Sequence, residues 1–268
     1  AEAARAVSAF CSREKTTIPV LLEIDVDGHR SGIRPDGAEL LPAAAALADG
    51  AELVGVLTHA GDSYECKTTA EIEAAAEAER AGIVLAAERL RAAGHTVKIV
   101  SAGSTPTLMF AKDETGVTEM RAGVCALFDL FMSNVGACTV DDIAGSVLAT
   151  VIGRQVDKRR VILDCGFLAL SRDRGTARQA HDYGYGLVCG LDGKPLADGT
   201  IVLTGTNQEH GILTLPENSP LTQEDFPIGR RLRILPNHAC PTAAPYGSLV
   251  LIENGRVAEV LDHVRGWD

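Results

Sequence analysis

A histidine and a cysteine two residues apart, in Pro236-Asn237-His238-Ala239-Cys240-Pro241-Thr242, carry the most specific chemical signal of the chain. On a strand, residues i and i+2 face the same side, so this spacing predicts that the imidazole and the thiolate converge. A borderline and a soft donor side by side suit zinc, with other coordination positions left to water or substrate. An interior imidazole beside a small apolar thiol fits the same spacing, and residue types alone leave both readings open. Pro241 ends strand pairing and places the pair at a strand end.

Two more stretches hold groups able to do chemistry. Ser101-Ala102-Gly103-Ser104-Thr105-Pro106-Thr107 combines a glycine, which lets a ligand approach the backbone, with hydroxyls and N–H groups that can hold a phosphate dianion. An ordinary Ser/Thr-capped helix start reads the same way. Thr58-His59-Ala60-Gly61-Asp62-Ser63-Tyr64 offers His59 and Tyr64 as acid/base or stacking groups. Glu209-His210-Gly211, Asp25 with Asp27, and Arg30 with Arg121 are ambiguous: solvated turns, structural ion pairs or ligand contacts all suit them.

These groups need elements to position them. IPVLLEIDV (18–26), ELVGVLTHAG (52–61), HTVKIVSAGST (95–105) and TEMRAGVCALF (118–128) read as strands, with helical patterns over 34–50 and 68–94 between them. Strand alternating with helix implies parallel βαβ units. Four such strands ending in polar loops make half of a (β/α)8 barrel, whose sites form at the C-terminal strand ends. An open sheet of that kind is poorly stable, and AEAARAVSAF reads as the tail of a helix. The other half, on the order of 100 residues, is therefore expected ahead of residue 1. From about residue 143 the strand-like segments 145–155, 159–171, 184–190, 200–215, 229–240 and 248–267 are separated by turn signals such as DGK and ENG. The reading is residues 1–140 as the barrel half and 141–268 as an antiparallel β domain.

Composition narrows the function classes. The 268 residues carry a net charge of −11 and no Lys/Arg cluster, which argues against a nucleic-acid surface. No apolar run reaches the length of a membrane span. Apolar residues reach 46% and aromatics only 4%, so the core is aliphatic. Seven cysteines at irregular spacings, with no CxxC pair, suggest reduced thiols and a cytoplasmic setting.

Taken in order, LLEIDVDGHRSGI, LTHAGDSY, SAGSTPT, TEMRAGVCALFD, LDCGFLALSRDRGTA, YGYGLVCG, NQEHGIL and LPNHAC resemble the D-serine dehydratase / D-threonine aldolase family. Its members are metal-dependent, fold-type III pyridoxal phosphate enzymes related to the alanine racemase barrel. The resemblance spans essentially the whole chain. It implies that Gly103, Ser104 and Thr105 bind the cofactor phosphate, with Arg121 and Gly123 also at the cofactor. It further implies that Tyr64 lies near the cofactor and that His238 and Cys240 bind the metal; Tyr64 and His59 are the candidate catalytic residues. His-x-Cys resembles the dehydratase members, whereas aldolase members typically carry His-x-Asp. The implied activity is therefore loss of water and ammonia from a small D-3-hydroxy amino acid, with zinc or another divalent metal, in a homodimer.

Two departures accompany the resemblance. The family's Arg-Pro-His-x-Lys-Thr-His-type stretch, which supplies the cofactor lysine, has no counterpart here. Lys15, Lys67, Lys98, Lys112, Lys158 and Lys194 lie outside such a stretch, so the lysine is expected upstream of Ala1, on the same or a companion chain. Cys125 stands where the family usually has tyrosine. Retro-aldol cleavage to glycine and an aldehyde uses the same parts, and a chain without the lysine also suits a non-catalytic fragment or partner.

Overall fold

The computed structural model describes residues 1–28 and 30–264 and divides them into two compact units, Ala1–Gly123 and Val124 onward. In the first, α1 (Glu2–Glu14) precedes β1 (Ile18–Ile24), α2 (Leu40–Ala45), β2 (Ala51–Thr58), α3 (Thr69–Ala92), β3 (Ile99–Ala102), α4 (Thr105–Phe110) and β4 (Glu119–Met120). The four strands are all parallel in the order β1-β2-β3-β4. This is the strand–helix alternation that the hydrophobic pattern predicts. α3 starts where Thr68 and Glu71 form a reciprocal capping box. One face of the sheet buries Leu22, Ile24, Val56 and Val100 against Leu40 of α2 and Ile83, Ala86, Ala87 and Leu90 of α3. Alanines in the helices bring them close to the strands.

Some expected strands are shorter. β3 begins at Ile99, not at 95, and β4 spans only Glu119–Met120 of the expected 118–128. Beyond Ala102 the backbone turns at Gly103, so β4 soon loses its hydrogen-bonding neighbour.

The second unit contains α5 (Leu130–Asn134), β5 (Val147–Gln155), β6 (Arg160–Leu163), α6 (Phe167–Leu170), β7 (Leu187–Cys189), β8 (Gly205–Thr206), β9 (Gly211–Thr214), β10 (Arg231–Leu235), α7 (Ala239–Ala243), β11 (Ser248–Glu253) and β12 (Arg256–Asp262). Six strands form an antiparallel sheet in the order β7-β10-β5-β6-β9-β8. The sheet curls: Leu187, on one edge strand, bridges Val202, just ahead of the strand at the opposite edge. Val151, Val161, Leu163, Val188, Leu213, Leu232, Ile234 and Phe226 fill its interior. β11 and β12 form a separate hairpin whose Asn254-Gly255 turn has positive φ at both residues, the chemistry of a type I′ turn.

The division falls at Gly123/Val124, ahead of the expected 140/141. Leu130 and Ile143 pack with Leu187, Cys189 and Leu235, which draws residues 124–140 into the second unit. The segment 159–171 is strand only to Leu163 and then turns into α6. All seven cysteines are free thiols. Among the described residues, no helix is long and apolar enough to cross a membrane.

Candidate active site

In the first unit, the polar turns after β2 and β3 meet at the C-terminal end of the sheet. Gly103 has φ +135°, and a Cβ there would lie 2.5 Å from the Arg121 carbonyl oxygen and 2.6 Å from its nitrogen. Only glycine fits that close approach of two backbones. Ser104 caps α4: its hydroxyl accepts from the Thr107 N–H at 3.3 Å, and the Ser104 N–H donates to Thr107 Oγ1 at 3.1 Å. The hydroxyls of Ser63 and Ser104 are 3.0 Å apart, and Ser63, Ser104, Thr105 and Thr107 are all buried. The turn is thus a helix cap and also a cradle of hydroxyls in which a side chain at position 103 has no room. That hydroxyl-lined turn, with no Cβ at position 103, is compatible with a phosphate group.

His59 Nδ1 lies 3.0 Å from the Gly103 carbonyl oxygen, and its ring stacks on Tyr64 at 5.9 Å with an interplanar angle of 28°. Burial, followed by the nearby Arg30 charge, holds the His59 pKa below the usual imidazole value. Arg121 reaches the same turns, where its guanidinium donates to the Ser101 hydroxyl and the Thr58 carbonyl; Ser101 in turn donates to Glu119. Its observed partners are therefore strand ends. Gly123 is exposed, and a Cβ there would meet open space. Asp25 accepts from the Gly28 N–H, and Asp27 from the Asp62 N–H, so both serve turns.

In the second unit, His238 and Cys240 come together, but not on a strand. β10 stops at Leu235, His238 is the N-cap of α7, and Cys240 lies in its first turn. The expected strand geometry is corrected accordingly: a helix start folds the two side chains into hydrogen-bond reach. Pro241 is tolerated because first-turn N–H groups need no intrahelical acceptor. His238 Nδ1 is 2.8 Å from Asp173 Oδ2, and Asp173 Oδ1 accepts from the Gly175 N–H at 2.7 Å. Burial by itself would lower the His238 pKa; the hydrogen bonds with Asp173 and Cys240 and the Asp129 charge outweigh it and push the value up to about 10. The His238 contact in turn holds Asp173 below the usual carboxylate range.

The supporting shell comes from far along the chain. Buried Asp129 accepts from Met132 N–H at 2.9 Å and from Ala239 N–H at 2.8 Å, so one carboxylate caps both α5 and α7. Buried Asn237 donates to the Asp173 and Gly184 carbonyls at 2.9 and 2.7 Å. With Nδ1 committed to Asp173, Nε2 is the nitrogen that would exchange its proton for a metal, and Cys240 is exposed beside it. An imidazole and a thiol with a carboxylate behind the imidazole fit a borderline divalent ion. No third His, Cys, Asp or Glu joins them as a ligand set among the described residues. Glu209 and His210 lie instead at the turn between β8 and β9, where Asn207 N–H donates to the His210 carbonyl.

Reading the sequence missed Asp129, Asp173, Asn237 and Glu79. Glu79 had a usable signal, since it continues the apolar spacing of Ile72, Ala76, Ile83 and Ala86 on α3. Asp129 and Asp173 had none, being 110 and 65 positions from the residues they hold.

Residues 1–130 match the alanine racemase N-terminal domain, and residues 144–252 match a putative serine dehydratase domain. D-threo-3-hydroxyaspartate dehydratase from Delftia sp. is 50% identical over 99% of this chain and 70% of its own length. Its structure superposes with a TM-score of 0.92, covering 99% of this chain and 71% of that one. D-serine dehydratase of Dictyostelium discoideum is 29% identical over 88% of this chain and 61% of its own. A D-threonine aldolase from Arthrobacter sp. is 26% identical over 91% of this chain and 59% of its own. The chain belongs to the D-serine dehydratase / D-threonine aldolase family, a fold-type III pyridoxal phosphate family of enzymes with an alanine racemase-like fold. A cysteine-to-alanine variant of a D-threo-3-hydroxyaspartate dehydratase has been solved in a metal-free form, and a histidine-to-alanine variant two positions away has also been solved. That is the spacing of His238 and Cys240.

Proposed function

We propose that this protein is a pyridoxal phosphate- and metal-dependent dehydratase that converts a small D-3-hydroxy amino acid to a 2-oxo acid and ammonia. The observation that carries this reading is the 50% identity to D-threo-3-hydroxyaspartate dehydratase across 99% of the chain. A 3-hydroxy amino acid with a second carboxylate is accordingly the first substrate to test. When bound, the cofactor supplies an electron sink for the charge left at Cα, and the metal a Lewis acid for the departing 3-hydroxyl.

The chain's own residues divide that work. Ser104 and Thr105 would hold the cofactor phosphate, and Gly103, with no side chain, leaves the turn its close approach to Arg121. Tyr64, stacked on His59, would contact the cofactor; His59, whose pKa burial holds below the usual imidazole value, would be a proton acceptor close to the same turns. Arg121 sets the ends of β2 and β3, and Gly123 completes the turn after β4. His238 Nε2 and Cys240 Sγ would hold the metal, with Asp173 orienting the imidazole through Nδ1.

The parallel sheet fits the C-terminal half of a (β/α)8 barrel that binds the cofactor, and the second unit a β domain that carries the metal. The matched Delftia enzyme is longer, with this chain spanning 70% of it. A homodimer is the expected assembly, to be read by light scattering of the purified protein.

Incubation of the full-length protein with D-threo-3-hydroxyaspartate, D-serine and D-threonine tests the activity. A 2-oxo acid and ammonia are expected, abolished by chelator and restored by zinc. Glycine and acetaldehyde from D-threonine would instead establish the retro-aldol reaction, which the 26% identity to a D-threonine aldolase supports less strongly.

A further inference from the structure

The inward face of α3 carries Ile72, Ala76, Ile83, Ala86, Ala87 and Leu90, and in the same row stands Glu79, only 1% exposed. A carboxyl on an apolar helix face is retained only where specific partners offset its desolvation. Glu79 has them. Its Oε1 accepts from the Ala60 N–H at 2.9 Å and the Gly103 N–H at 3.1 Å, and the Thr107 hydroxyl is also within hydrogen-bond reach. Burial raises its pKa above the usual carboxylate value.

Those partners belong to two different turns. Ala60 sits between His59 and Tyr64 after β2, whereas Gly103 and Thr107 flank Ser104 and Thr105 after β3. Ser63 Oγ donates to the Ala60 carbonyl at 2.8 Å and meets Ser104 Oγ at 3.0 Å, which continues the network along the same seam. Glu79 closes this seam from behind, out of reach of solvent.

We propose that Glu79 is a positioning residue for the anion cradle: its buried carboxyl fixes the turn carrying Tyr64 against the turn carrying Gly103, Ser104 and Thr105, so that the hydroxyls are spaced for a phosphate monoester. The proposal rests on the reading of this rim as the cofactor-phosphate site. An apolar side chain at position 79 leaves the Ala60 and Gly103 N–H groups unpaired in a dry interior, and the two turns relax apart. A glutamine oxygen can accept from both N–H groups, so it preserves the seam.

The test compares dissociation constants for pyridoxal phosphate and pyridoxal, titrated by fluorescence into the cofactor-stripped full-length protein, with Glu79→Gln, Glu79→Ala and Glu79→Asp variants alongside. The ratio of the two constants isolates what the phosphate contributes. Glu79→Ala is expected to weaken pyridoxal phosphate about tenfold or more while leaving pyridoxal within about threefold, with Glu79→Gln restoring the preference. Glu79→Asp keeps the carboxyl but shortens its reach; it is expected to lose part of the preference, and serves alone if Glu79→Ala does not fold. Equal weakening of both ligands, or a preference unchanged in Glu79→Asp and in any folded Glu79→Ala, would overturn the positioning role, as would a Glu79→Gln protein as impaired as Glu79→Ala. If the unsubstituted protein binds pyridoxal as tightly as pyridoxal phosphate, the phosphate-site reading itself fails.

Discussion

The two clusters of functional side chains are built on opposite principles. The rim of the first unit is made of strand-end turns and backbone: Gly103 is wedged against Arg121, and buried hydroxyls bond one another. Its chemistry comes from two successive turns, after β2 and after β3. The His238–Cys240 turn of the second unit is a single short stretch at a helix start, with Cys240 exposed and the rigidity imported from Asp129, Asp173 and Asn237. A backbone cradle tolerates changes in exposed side chains but not a change of backbone conformation. A two-donor turn depends on each donor and on the distant groups that aim it.

Substitutions can break or sharpen this contrast. The largest effect is expected from His238→Ala or Cys240→Ala, with activity down by at least about 100-fold and bound metal lost in elemental analysis. Retained metal and rate would remove the second cluster from the mechanism. Asp173→Asn leaves the two donors in place but disturbs the imidazole tautomer; metal affinity should fall about 10- to 100-fold in a chelator competition. Gly103→Ala should act in the reverse sense. It forces a Cβ into the Arg121 backbone at positive φ, so stability falls by about 1–3 kcal/mol in denaturant melts and cofactor occupancy falls with it. Metal content should stay unchanged.

The smallest expected effect is on pH dependence. Burial lowers the folded-state pKa of His59 beneath the usual imidazole value of 6.5, with the Arg30 and Arg121 charges adding and Asp27 opposing. The unfolded chain therefore takes up this proton first as pH falls. The stability associated with neutral His59 is fully present above pH 6.5 and is lost as pH drops through that value toward the folded pKa. His59→Gln should flatten that limb of the stability–pH curve in denaturant melts at pH 5 to 7. An unchanged slope would show that His59 titrates as it does in the unfolded chain.

Much of the fold was legible because it rests on local pattern. Apolar runs bounded by turn residues marked β1, β2 and β5, and the helical pattern over 68–94 marked α3. The runs at 159–171 and 229–240 misled for one reason. An apolar stretch shows burial without showing where a strand gives way to a short helix, and α6 and α7 begin inside them. His238 and Cys240 were rightly expected to be close, although the helix start and not a strand's two-residue period brings them together.

By itself, the sequence determined which residue types could do chemistry and the order of the elements that present them, because periodicity, caps and glycine turns act over a few residues. It also pointed to the family, through eight short motifs in a fixed order. Tertiary structure alone decided which carboxylates serve those groups. Asp129 reaches Ala239, Asp173 reaches His238, and Glu79 bridges Ala60 and Gly103. Such hydrogen bonds span tens of positions and form only once packing excludes water and makes each unpaired N–H costly, a condition that no local pattern encodes.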